Sequence, residues 1–476
     1  MRLDEQFIKK TIPEASILYG SFPKEFYLSI DSRSIEQGEI FVALNGVMCD
    51  GHDFIQDALD KGASGLILSC EKKKLLNKID KKILKERLVI LVASPLEALL
   101  MLAQEWRSQF DYPVVAVTGS VGKTSTKERI ASILKSDSDK YLISRGNQNT
   151  QIGLALNMVR MRAEHKAAVF EVGIGQRGQM AQRAELLKPT IALITTIGHS
   201  HMEGLGSLQE IALEKRDIFK YFDETNIGIV NGDDPLLSAI AYTHPVIKFG
   251  SKTSNQFQMR KVRIAQNRID FNLKFYGNKY AIRLNDITPG AVQNSVAAAC
   301  VSYFLNISQE TIIKGLKKQV LVQGRFEHRF LPAKKGIVIN DCYNANPESM
   351  KASLLAFESF ETKAQKVVVL GDMLELGGNS PFWHRQLGRF LRKVSSMNHL
   401  ILVGDMVKWT QKALPFTVKA DMVPSWEEAV SVVKEKISKE SVILVKGSRG
   451  MSLDKLVDSL APVSVVLSKE RQSAKE

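Results

Sequence analysis

The stretch that most constrains the fold is residues 117–126, which read Val-Thr-Gly-Ser-Val-Gly-Lys-Thr-Ser-Thr. An apolar run precedes the glycines, and apolar residues recur at helical spacing after them, so the pattern predicts a strand, a tight turn and a helix. Such a turn directs backbone N–H groups at an anion, Lys123 adds a positive charge, and the Thr124 hydroxyl suits Mg²⁺. The glycine spacing is two residues shorter than in the common phosphate loop. We therefore predict an α/β fold with a phosphate-binding turn, in preference to a tight turn that binds nothing.

Length and cysteine usage limit the class of protein. The 476 residues correspond to about three domains of roughly 150 residues each. No apolar run reaches the roughly 20 residues that span a bilayer, and residues 1–10 lack the apolar core of a signal peptide. The four cysteines are scattered without a Cys-x-x-Cys pair, as in a reducing compartment. We therefore expect a cytoplasmic protein without membrane insertion, and we expect it to be a monomer.

The basic charge indicates anionic partners. The formal net charge is +14, which suits nucleotides and carboxylates or nucleic acid. The densest basic run, residues 71–87, has eight lysines and arginines against three acids. Its leucines and isoleucines recur at helical spacing, which favours the solvated face of an amphipathic helix. Because no aromatic residue lies between those lysines, a surface that stacks single-stranded bases is not indicated, and we expect no nucleic-acid partner.

The order of apolar runs divides the chain into three units, residues 1–108, 109–330 and 331–476. The first holds short strands and ends in a helix, and residues 108–113 have the composition of a linker. The second and third have near-continuous apolar runs, typical of parallel strands that are covered on both faces.

Within the second unit, residues 257–284 change to strict alternation, with a hairpin turn expected at Gly277-Asn278. The predicted fold class is therefore α/β with three domains. We expect a small N-terminal α/β domain, a central parallel sheet like that of P-loop ATPases with an extra β-hairpin region, and a C-terminal Rossmann-like parallel sheet.

Polar residues gather where strands of the second unit end. Glu171 follows one strand, His199 and His201 follow the next, and Asp233 and Asp234 follow a third. Ligands of open α/β sheets bind beyond the carboxyl ends of the strands. A carboxylate and a histidine near the Lys-Thr turn favour a Mg²⁺ cluster, although histidine is a less usual magnesium ligand than oxygen. Taken singly, Glu171 could be the partner of a helix dipole, and His201 could be a core histidine with its hydrogen bonds satisfied.

Lys215 lies on the apolar stripe of a helix that begins with a capping box at Ser207. It follows Leu208 by seven residues and Ile211 by four, so it faces the same side. A lysine ammonium on a buried face is costly unless it is paired or neutralised. Its stem could pack while the amine reaches solvent. Alternatively, Lys215 could face the metal site, where a lysine carbamylated by CO₂ would be an anionic ligand.

Together these residues resemble the Mur ligases, the ATP-dependent amino-acid ligases of peptidoglycan precursor synthesis. Residues 118–124 are similar to the family motif Thr-Gly-x-x-Gly-Lys-Thr, and further motifs follow in the family's order along essentially the whole chain. The resemblance implies catalytic roles for Lys123, Glu171, His201 and Lys215. It implies that Thr124, Glu171, His201 and carbamylated Lys215 hold Mg²⁺, with two ions expected. The implied ATP contacts are Gly119, Ser120, Val121, Gly122, Lys123, Thr124, Ser125, Asn294 on the adenine side, Arg325 of a Gly-Arg motif and Asp341 on the ribose side.

Other motifs indicate the branch of that family. Residues 31–33 and 50–54 resemble the UDP-binding domain of the last two ligases of the pathway. Residues 341–350 and 370–377 resemble the branch that adds D-alanyl-D-alanine, and the Asp-Asn-Pro-Arg motif of the diamino-acid branch is absent. The implied reaction joins UDP-MurNAc-tripeptide to D-Ala-D-Ala through an acyl phosphate. Gly178-Gln-Met180 departs from the usual Gly-Glu-Ile of this branch. The implied substrate contacts are Ser32, Arg33, Asp50, Gly51, His52, Asn149, Asn344 and Asn346.

Two other functions fit parts of the sequence. A different Mur-type ligase, such as a folylpolyglutamate or cyanophycin-like synthetase, would share the ATP site and change the acceptor. The Asp31-Ser-Arg33 block argues against it, because that block resembles a UDP-sugar site. A P-loop protein that uses ATP as a switch on nucleic acid fits the basic charge, but no recognised DNA- or RNA-binding motif accompanies it.

Overall fold

The computed structural model describes residues 3–23, 25–46, 49–285, 287–332, 336–437 and 440–462. These residues form three β-sheets of five, nine and six strands, with helices between the strands. Most neighbouring strands are parallel, which confirms the predicted α/β class. Residues 463–476 of the predicted third unit lie outside the described ranges.

The N-terminal sheet has the strand order β1-β5-β4-β3-β2, with only β1 antiparallel among its described strands. The run of lysines after β4 is not one helix, because Asp80 interrupts it and caps the next helix by accepting a hydrogen bond from the N–H of Lys82. A 3₁₀ turn therefore precedes the short α3, and the single amphipathic helix predicted for residues 71–87 was wrong. The elements are α1 (Glu5–Thr11), β1 (Ser16–Gly20), β2 (Leu28–Ser29), β3 (Ile40–Val42), α2 (Ile55–Asp60), β4 (Gly65–Ser69), α3 (Lys81–Lys85), β5 (Leu88–Val92) and α4 (Pro95–Arg107).

The central sheet has the order β14-β13-β12-β11-β10-β9-β6-β8-β7. Its parallel strands are buried and apolar, because helices cover both faces. The elements are β6 (Val114–Thr118), α5 (Lys123–Asp137), β7 (Tyr141–Ile143), α6 (Gln151–Met158), β8 (Ala167–Glu171), α7 (Gln179–Leu187), β9 (Ile191–Ile194), α8 (Met202–Leu205), α9 (Leu208–Arg216), β10 (Ile227–Asn231), α10 (Pro235–Ala239), β11 (Val246–Gly250), β12 (Phe257–Ala265), β13 (Arg268–Phe275), β14 (Asn278–Leu284), α11 (Ala291–Phe304) and α12 (Gln309–Leu316).

The alternating segment forms three antiparallel strands, β12 to β14, at one end of this sheet. The hairpin turn between β13 and β14 falls on Tyr276 and Gly277, one residue earlier than predicted, and Asn278 already pairs with Phe275. Both turn residues have positive φ, at 44° and 86°, as a two-residue turn between twisted strands requires.

The C-terminal sheet has the order β15-β16-β20-β17-β18-β19, and its five parallel strands confirm the predicted Rossmann-like pattern. The elements are β15 (Glu327–Phe330), β16 (Gly336–Asn340), α13 (Pro347–Glu358), β17 (Gln365–Gly371), α14 (Ser380–Phe390), β18 (His399–Val403), α15 (Val407–Gln411), β19 (Ala420–Val423), α16 (Trp426–Lys436), β20 (Ser441–Lys446) and α17 (Leu453–Leu460).

The segment predicted as a linker is packed. Phe110 is buried in one apolar cluster with Trp106 of α4 and Met158 of α6. The Trp106 indole donates to the carbonyl of Met161 at 3.0 Å, and Arg107 donates to the carbonyl of Leu187 at 3.1 Å. The first and second units therefore share a core. Within the described ranges, no helix combines the length and apolarity needed to span a bilayer.

Candidate active site

The turn after β6 packs so closely that its glycines are required. Gly119 and Gly122 have φ of 143° and 91°, a region that side chains with a Cβ rarely adopt. A Cβ on Gly119 would lie 1.9 Å from the Thr195 hydroxyl, and one on Gly122 would lie 2.8 Å from the Asn294 Oδ1. The Thr195 hydroxyl in turn lies 2.6 Å from the Val121 carbonyl. Thr195, directly after β9, and Asn294 of α11 thus fix the shape of the turn.

Helix α5 begins at Lys123, so its first N–H groups open onto the turn. The ammonium of Lys123 donates to the Gly119 carbonyl at 2.8 Å. Burial lowers the pKa of Lys123, the nearby Glu171 carboxylate opposes this, and Arg325 lowers the pKa further. A positive side chain and a helix N-terminus that meet in one place favour the binding of an anion.

A cavity of about 410 Å³ opens beside this turn, between the central and C-terminal sheets. It brings together most of the predicted site residues of the central unit and two of the third. The predicted residues that line it are Ser120, Val121, Gly122, Lys123, Asn149, Glu171, His201, Arg325, Asn344 and Asn346.

Glu171 ends β8 and is only 1% exposed. Its Oε1 accepts a hydrogen bond from the Asn149 amide at 2.7 Å, while its Oε2 is buried without a partner. The Thr124 hydroxyl is also buried without a partner. Buried polar oxygens without partners are costly. The pair of hard oxygen atoms beside a phosphate-binding turn therefore fits a magnesium ion.

His201 lies across the same cavity, as the first residue before α8, with a positive φ of 56°. Its Nδ1 lies 2.6 Å from a carboxylate oxygen of Glu375, which belongs to the third unit. Within the part of the chain that the structure describes, no three His, Cys, Asp or Glu side chains are close enough to form a ready-made metal site. A metal here would thus depend on hydroxyl, phosphate and water oxygens in addition to Glu171, as magnesium commonly does.

Lys215 of α9 is 1% exposed, so the alternative in which its amine reaches solvent is wrong. It is not among the residues that line either cavity described here. Burial holds its pKa well below the usual range, and the positive charge of Lys123 lowers it further, whereas Glu214 opposes the shift. A lysine with a lowered pKa is neutral at lower pH than usual, and the neutral amine is the form that reacts with CO₂.

Arg183 is a cavity residue that the sequence reasoning missed. It lies on α7 among the buried residues Met180, Ala184 and Leu187, and burial lowers its pKa to about 10. A charged residue on an apolar helix face is the signal that singled out Lys215, and it applies equally to Arg183. The other polar lining residues that were missed are Thr150, Gln179, Ser200, Tyr343 and Ser349.

A second cavity, of about 230 Å³, adjoins the first at this turn. Ser125, Asn294 and Asp341 line it, as do Val121, Gly122, Arg325 and Ser349, which also line the first cavity. The turn after β6 thus contributes to the walls of both cavities.

The residues of this second cavity are held in place by internal contacts. The Asn294 Oδ1 accepts from the Thr126 hydroxyl at 3.2 Å, and the Asp341 carboxylate accepts from the Lys446 ammonium at 2.8 Å. The Arg325 guanidinium lies 4.0 Å from the centre of the Tyr343 ring, a cation–π arrangement.

Two predicted asparagines of the third unit face the first cavity with their side chains already engaged. The Asn346 Oδ1 caps α13 by accepting from the Ser349 N–H at 2.8 Å, and the Asn344 Oδ1 accepts from the Ala345 N–H at 2.8 Å. Each side-chain NH₂ group remains the part that could contact a ligand.

The predicted substrate residues of the first unit lie apart from both cavities. They are Ser32, Arg33, Asp50, Gly51 and His52. Arg33 is exposed and forms a two-point ion pair with Asp31, and the Ser32 carbonyl accepts from Lys61 at 2.9 Å. His52 is buried, and both ring nitrogens are engaged: Nδ1 lies 2.6 Å from Asp50, and Nε2 accepts from the N–H of Ser69. His52 therefore supports the fold of this loop.

The two acids that follow β10 stabilise a turn and a helix N-terminus. Asp233 accepts from the N–H groups of Ser251 and Lys252, and the amide of Asn255 also donates to it. Asp234 caps α10 and accepts from the N–H of Ile197. Neither acid lines the two cavities, so they do not join the expected cluster with Glu171.

Comparison with known proteins agrees with this arrangement. Three family descriptions match the chain: Mur ligase family, catalytic domain, over residues 27–107; Mur ligase middle domain, over residues 117–302; and Mur ligase, glutamate ligase domain, over residues 324–449.

Relatives in sequence and in structure cover nearly the whole chain. A UDP-N-acetylmuramoyl-tripeptide–D-alanyl-D-alanine ligase of Rickettsia prowazekii is 33% identical over 441 residues, covering 90% of this chain and 94% of the relative. Its counterpart in Bacillus subtilis is 32% identical over 467 residues, covering 95% of this chain and 98% of the relative. MurF from Acinetobacter baumannii superposes with a TM-score of 0.82 at 27% identity, covering 97% of this chain and 99% of that one. MurF from Thermotoga maritima in complex with ADP superposes with a TM-score of 0.75 at 26% identity, covering 91% of this chain and 96% of that one.

Proposed function

Because this chain belongs to the Mur ligase family, we propose that its two adjoining cavities bind ATP and the acyl substrate on either side of the phosphate-binding turn. The protein is an ATP-dependent ligase most like MurF. It joins UDP-MurNAc-tripeptide to D-Ala-D-Ala in peptidoglycan precursor synthesis and releases ADP and phosphate. The observation that carries the proposal is that Val121 and Gly122 of the turn line both cavities.

The nucleotide would lie with its base and ribose in the smaller cavity. Asn294 and Asp341 offer polar groups there, and the cavity also includes Ser125. The terminal phosphates would then reach the N-terminus of α5 and Lys123, where N–H groups and a positive charge converge. This arrangement directs the γ-phosphate toward the larger cavity.

The larger cavity would hold the tripeptide carboxylate. A carboxylate oxygen attacks the γ-phosphorus, ADP leaves, and an acyl phosphate forms. The amine nitrogen of D-Ala-D-Ala then attacks the carbonyl carbon, phosphate leaves, and the nitrogen loses its proton to water. Lys123 and the α5 N-terminus stabilise the negative charge on the transferring phosphoryl group, which is the main requirement of such transfers.

The metal would be Mg²⁺, with two ions expected. Thr124, Glu171, His201 and a carbamylated Lys215 would hold it. The buried, unpartnered oxygens of Thr124 and Glu171 support this assignment. When bound, magnesium neutralises phosphate charge and polarises the phosphoryl group.

The three units would divide the work as the sequence pattern indicated. Residues 1–108 would bind the UDP-sugar-peptide through Ser32, Arg33, Asp50 and Gly51, with His52 supporting that loop and Asn149 of the central unit contributing. Residues 109–330 would bind ATP. Residues 331–476 would complete the ATP site and bind D-Ala-D-Ala near Asn344 and Asn346. We propose a cytoplasmic monomer, without a nucleic-acid partner and without membrane insertion.

A phosphate-release assay tests the function. UDP-MurNAc-tripeptide and D-Ala-D-Ala together should stimulate ATP hydrolysis, and either one alone should not. Stimulation by glutamate with a folate would instead identify a folylpolyglutamate-type ligase, and stimulation by DNA would identify a nucleic-acid-dependent ATPase. Either of these two results would overturn the proposal.

A further inference from the structure

The three-stranded extension of the central sheet has one covered face and one open face. Its inward side chains, such as Phe271, Leu273 and Ile282, are buried and form part of the core. The residues that alternate with them point to the opposite side of the sheet, which faces solvent. This open face is made by β12, β13 and β14.

The open face carries an unusual concentration of positive charge. Residues 246–284 contain nine lysines and arginines and a single acid, Asp270. The pairing register places the cations of all three strands on this one face: Arg260, Arg263, Arg268, Lys274, Lys279 and Arg283. Asp270 pairs with Arg283 at 2.7 Å and so offsets only part of this charge.

The packing of the sheet does not require this charge. Lys274 lies directly opposite Lys279, and like charges in that position destabilise a sheet. Lysines on an edge strand can protect it from pairing with other chains, which accounts for Lys279 on β14. That explanation does not extend to Arg263 or Arg260, because β12 lies two strands inside the edge. An external anionic partner explains all of them.

The exposed apolar side chains of this region lie outside the open face. Val262 and Ile264 flank Arg263 along β12 and therefore point to the opposite face, where Ile264 pairs with the inward-facing Ile269. Tyr276 in the hairpin turn packs against the rings of Phe257 and Tyr303. None of the six cations alternates with an aromatic residue on the open face, so a surface that stacks bases is not formed. A broad basic face without aromatic side chains suits the headgroup region of an anionic bilayer, where lysines and arginines bind the negatively charged phosphates at the surface.

The face is also held rigidly. At the far end of the β12–β13 hairpin, the N–H of Gln266 donates to the Glu361 carboxylate at 3.0 Å, and Asn267 donates to the Glu361 carbonyl at 3.0 Å. The hairpin is therefore tied to the third unit, and the face keeps its shape without a partner.

We propose that the open face of β12–β14 is a docking surface for an anionic phospholipid bilayer, on which the enzyme adsorbs without inserting a helix. The other basic surface, the lysines of residues 71–87, provides a matched control, because Lys73, Lys74, Lys81 and Lys82 are exposed and form no ion pair among the described residues.

The test measures co-sedimentation of the whole protein with phosphatidylcholine vesicles that contain about 30% phosphatidylglycerol, at low and high salt, because each basic residue near such a surface strengthens binding. The first variant carries Arg263→Gln, Arg268→Gln, Lys274→Gln and Lys279→Gln. The control carries Lys73→Gln, Lys74→Gln, Lys81→Gln and Lys82→Gln, which removes the same charge elsewhere. We expect binding to the anionic vesicles only, a loss of at least tenfold in the first variant, and less than about twofold in the control. Ligase activity should be unchanged in both.

Several outcomes would overturn the proposal. They are no binding of the unchanged protein to anionic vesicles, an equal loss in both variants, or binding to a DNA duplex in place of vesicles. If the fourfold variant fails to fold, the pair Lys274→Gln and Lys279→Gln replaces it, since removing two opposed like charges should not weaken the sheet. That pair should still lower vesicle affinity severalfold, and unchanged affinity would count against the proposal.

Discussion

Glu348, in the first turn of α13, accepts a hydrogen bond from the backbone N–H of His199 at 3.0 Å, and its carboxylate also contacts the His199 ring. The centre of the His199 ring lies 4.1 Å from that of the Trp383 ring, so two side chains of the third unit contact the loop after β9. Beside it, His201 pairs with Glu375 of the same unit. These contacts bridge the central and C-terminal sheets at the cavity where transfer would occur.

We expect His199→Ala to lower kcat about fivefold, because a partly buried pair of this kind contributes about 1 kcal/mol to holding the two sheets together. The melting temperature should change little. Steady-state kinetics and thermal melting measure both effects. Glu361→Ala removes a contact between the same two units far from the cavity and serves as the control. Equal loss in both variants would mean that His199 has no special role in closure.

We expect Lys123→Ala to lower phosphate release and ligation by a factor of about a thousand or more, because the preorganised charge at the transferring phosphate is lost. The fold should persist, since the main contact of this ammonium is to the Gly119 carbonyl in its own turn. Lys135→Ala, an exposed change near the end of the same helix, should leave the rate unchanged. Normal turnover by Lys123→Ala would remove the phosphate-cradle assignment.

We expect Lys215→Ala to be inactive and to regain part of its activity with added formate or acetate, because a small carboxylate can replace a carbamate. In the unchanged protein, mass spectrometry under CO₂ should show about 44 Da of added mass on Lys215. An active, magnesium-loaded enzyme with unmodified Lys215 would refute the carbamate, and rescue by chloride would show that the carboxylate itself is not needed.

The nucleophile sets the pH dependence. The amino group of a dipeptide has a pKa of about 8, so the reactive free base rises about tenfold between pH 7 and pH 9. We expect kcat/KM for D-Ala-D-Ala to rise over this range, and the ATP-dependent formation of acyl phosphate to rise less. A flat profile, with the chemical step shown to limit the rate, would contradict attack by an amine.

Asp233 gives a prediction on stability. Burial opposes ionisation of its carboxyl, but hydrogen bonds from the N–H groups of Ser251 and Lys252 and from Asn255 hold its pKa below the usual range. A lowered pKa stabilises the folded state above the unfolded pKa of about 3.9, and this contribution disappears as the pH falls through the folded value. Asp233→Asn should therefore lower the free energy of unfolding by about 1 kcal/mol at pH 7 and by progressively less below pH 4. Chemical denaturation at both pH values measures the difference, and a constant gap would contradict it.

Local patterns predicted much of the site. The pattern of residues 117–126 predicted the strand β6, the glycine turn and the helix α5, all of which the structure has. The helical spacing of Lys215 predicted its burial, which the structure bears out at 1% exposure. The same stripe rule, applied to α7, would also have found Arg183. By contrast, Asp233 and Asp234 follow a strand end, as the predicted metal cluster required, but they stabilise a turn and cap a helix. A local pattern does not tell which strand ends lie next to each other.

The sequence by itself determined the α/β class, the glycine turn between β6 and α5 and the residue types at strand ends, because each of these depends on side-chain periodicity and on backbone constraints within a few residues. Only the tertiary structure decided that Thr195 and Asn294 shape the turn, that His52 is engaged within its own loop, and that six cations of three strands share one open face. These relationships depend on strand order and register, which arise from contacts between residues distant along the chain.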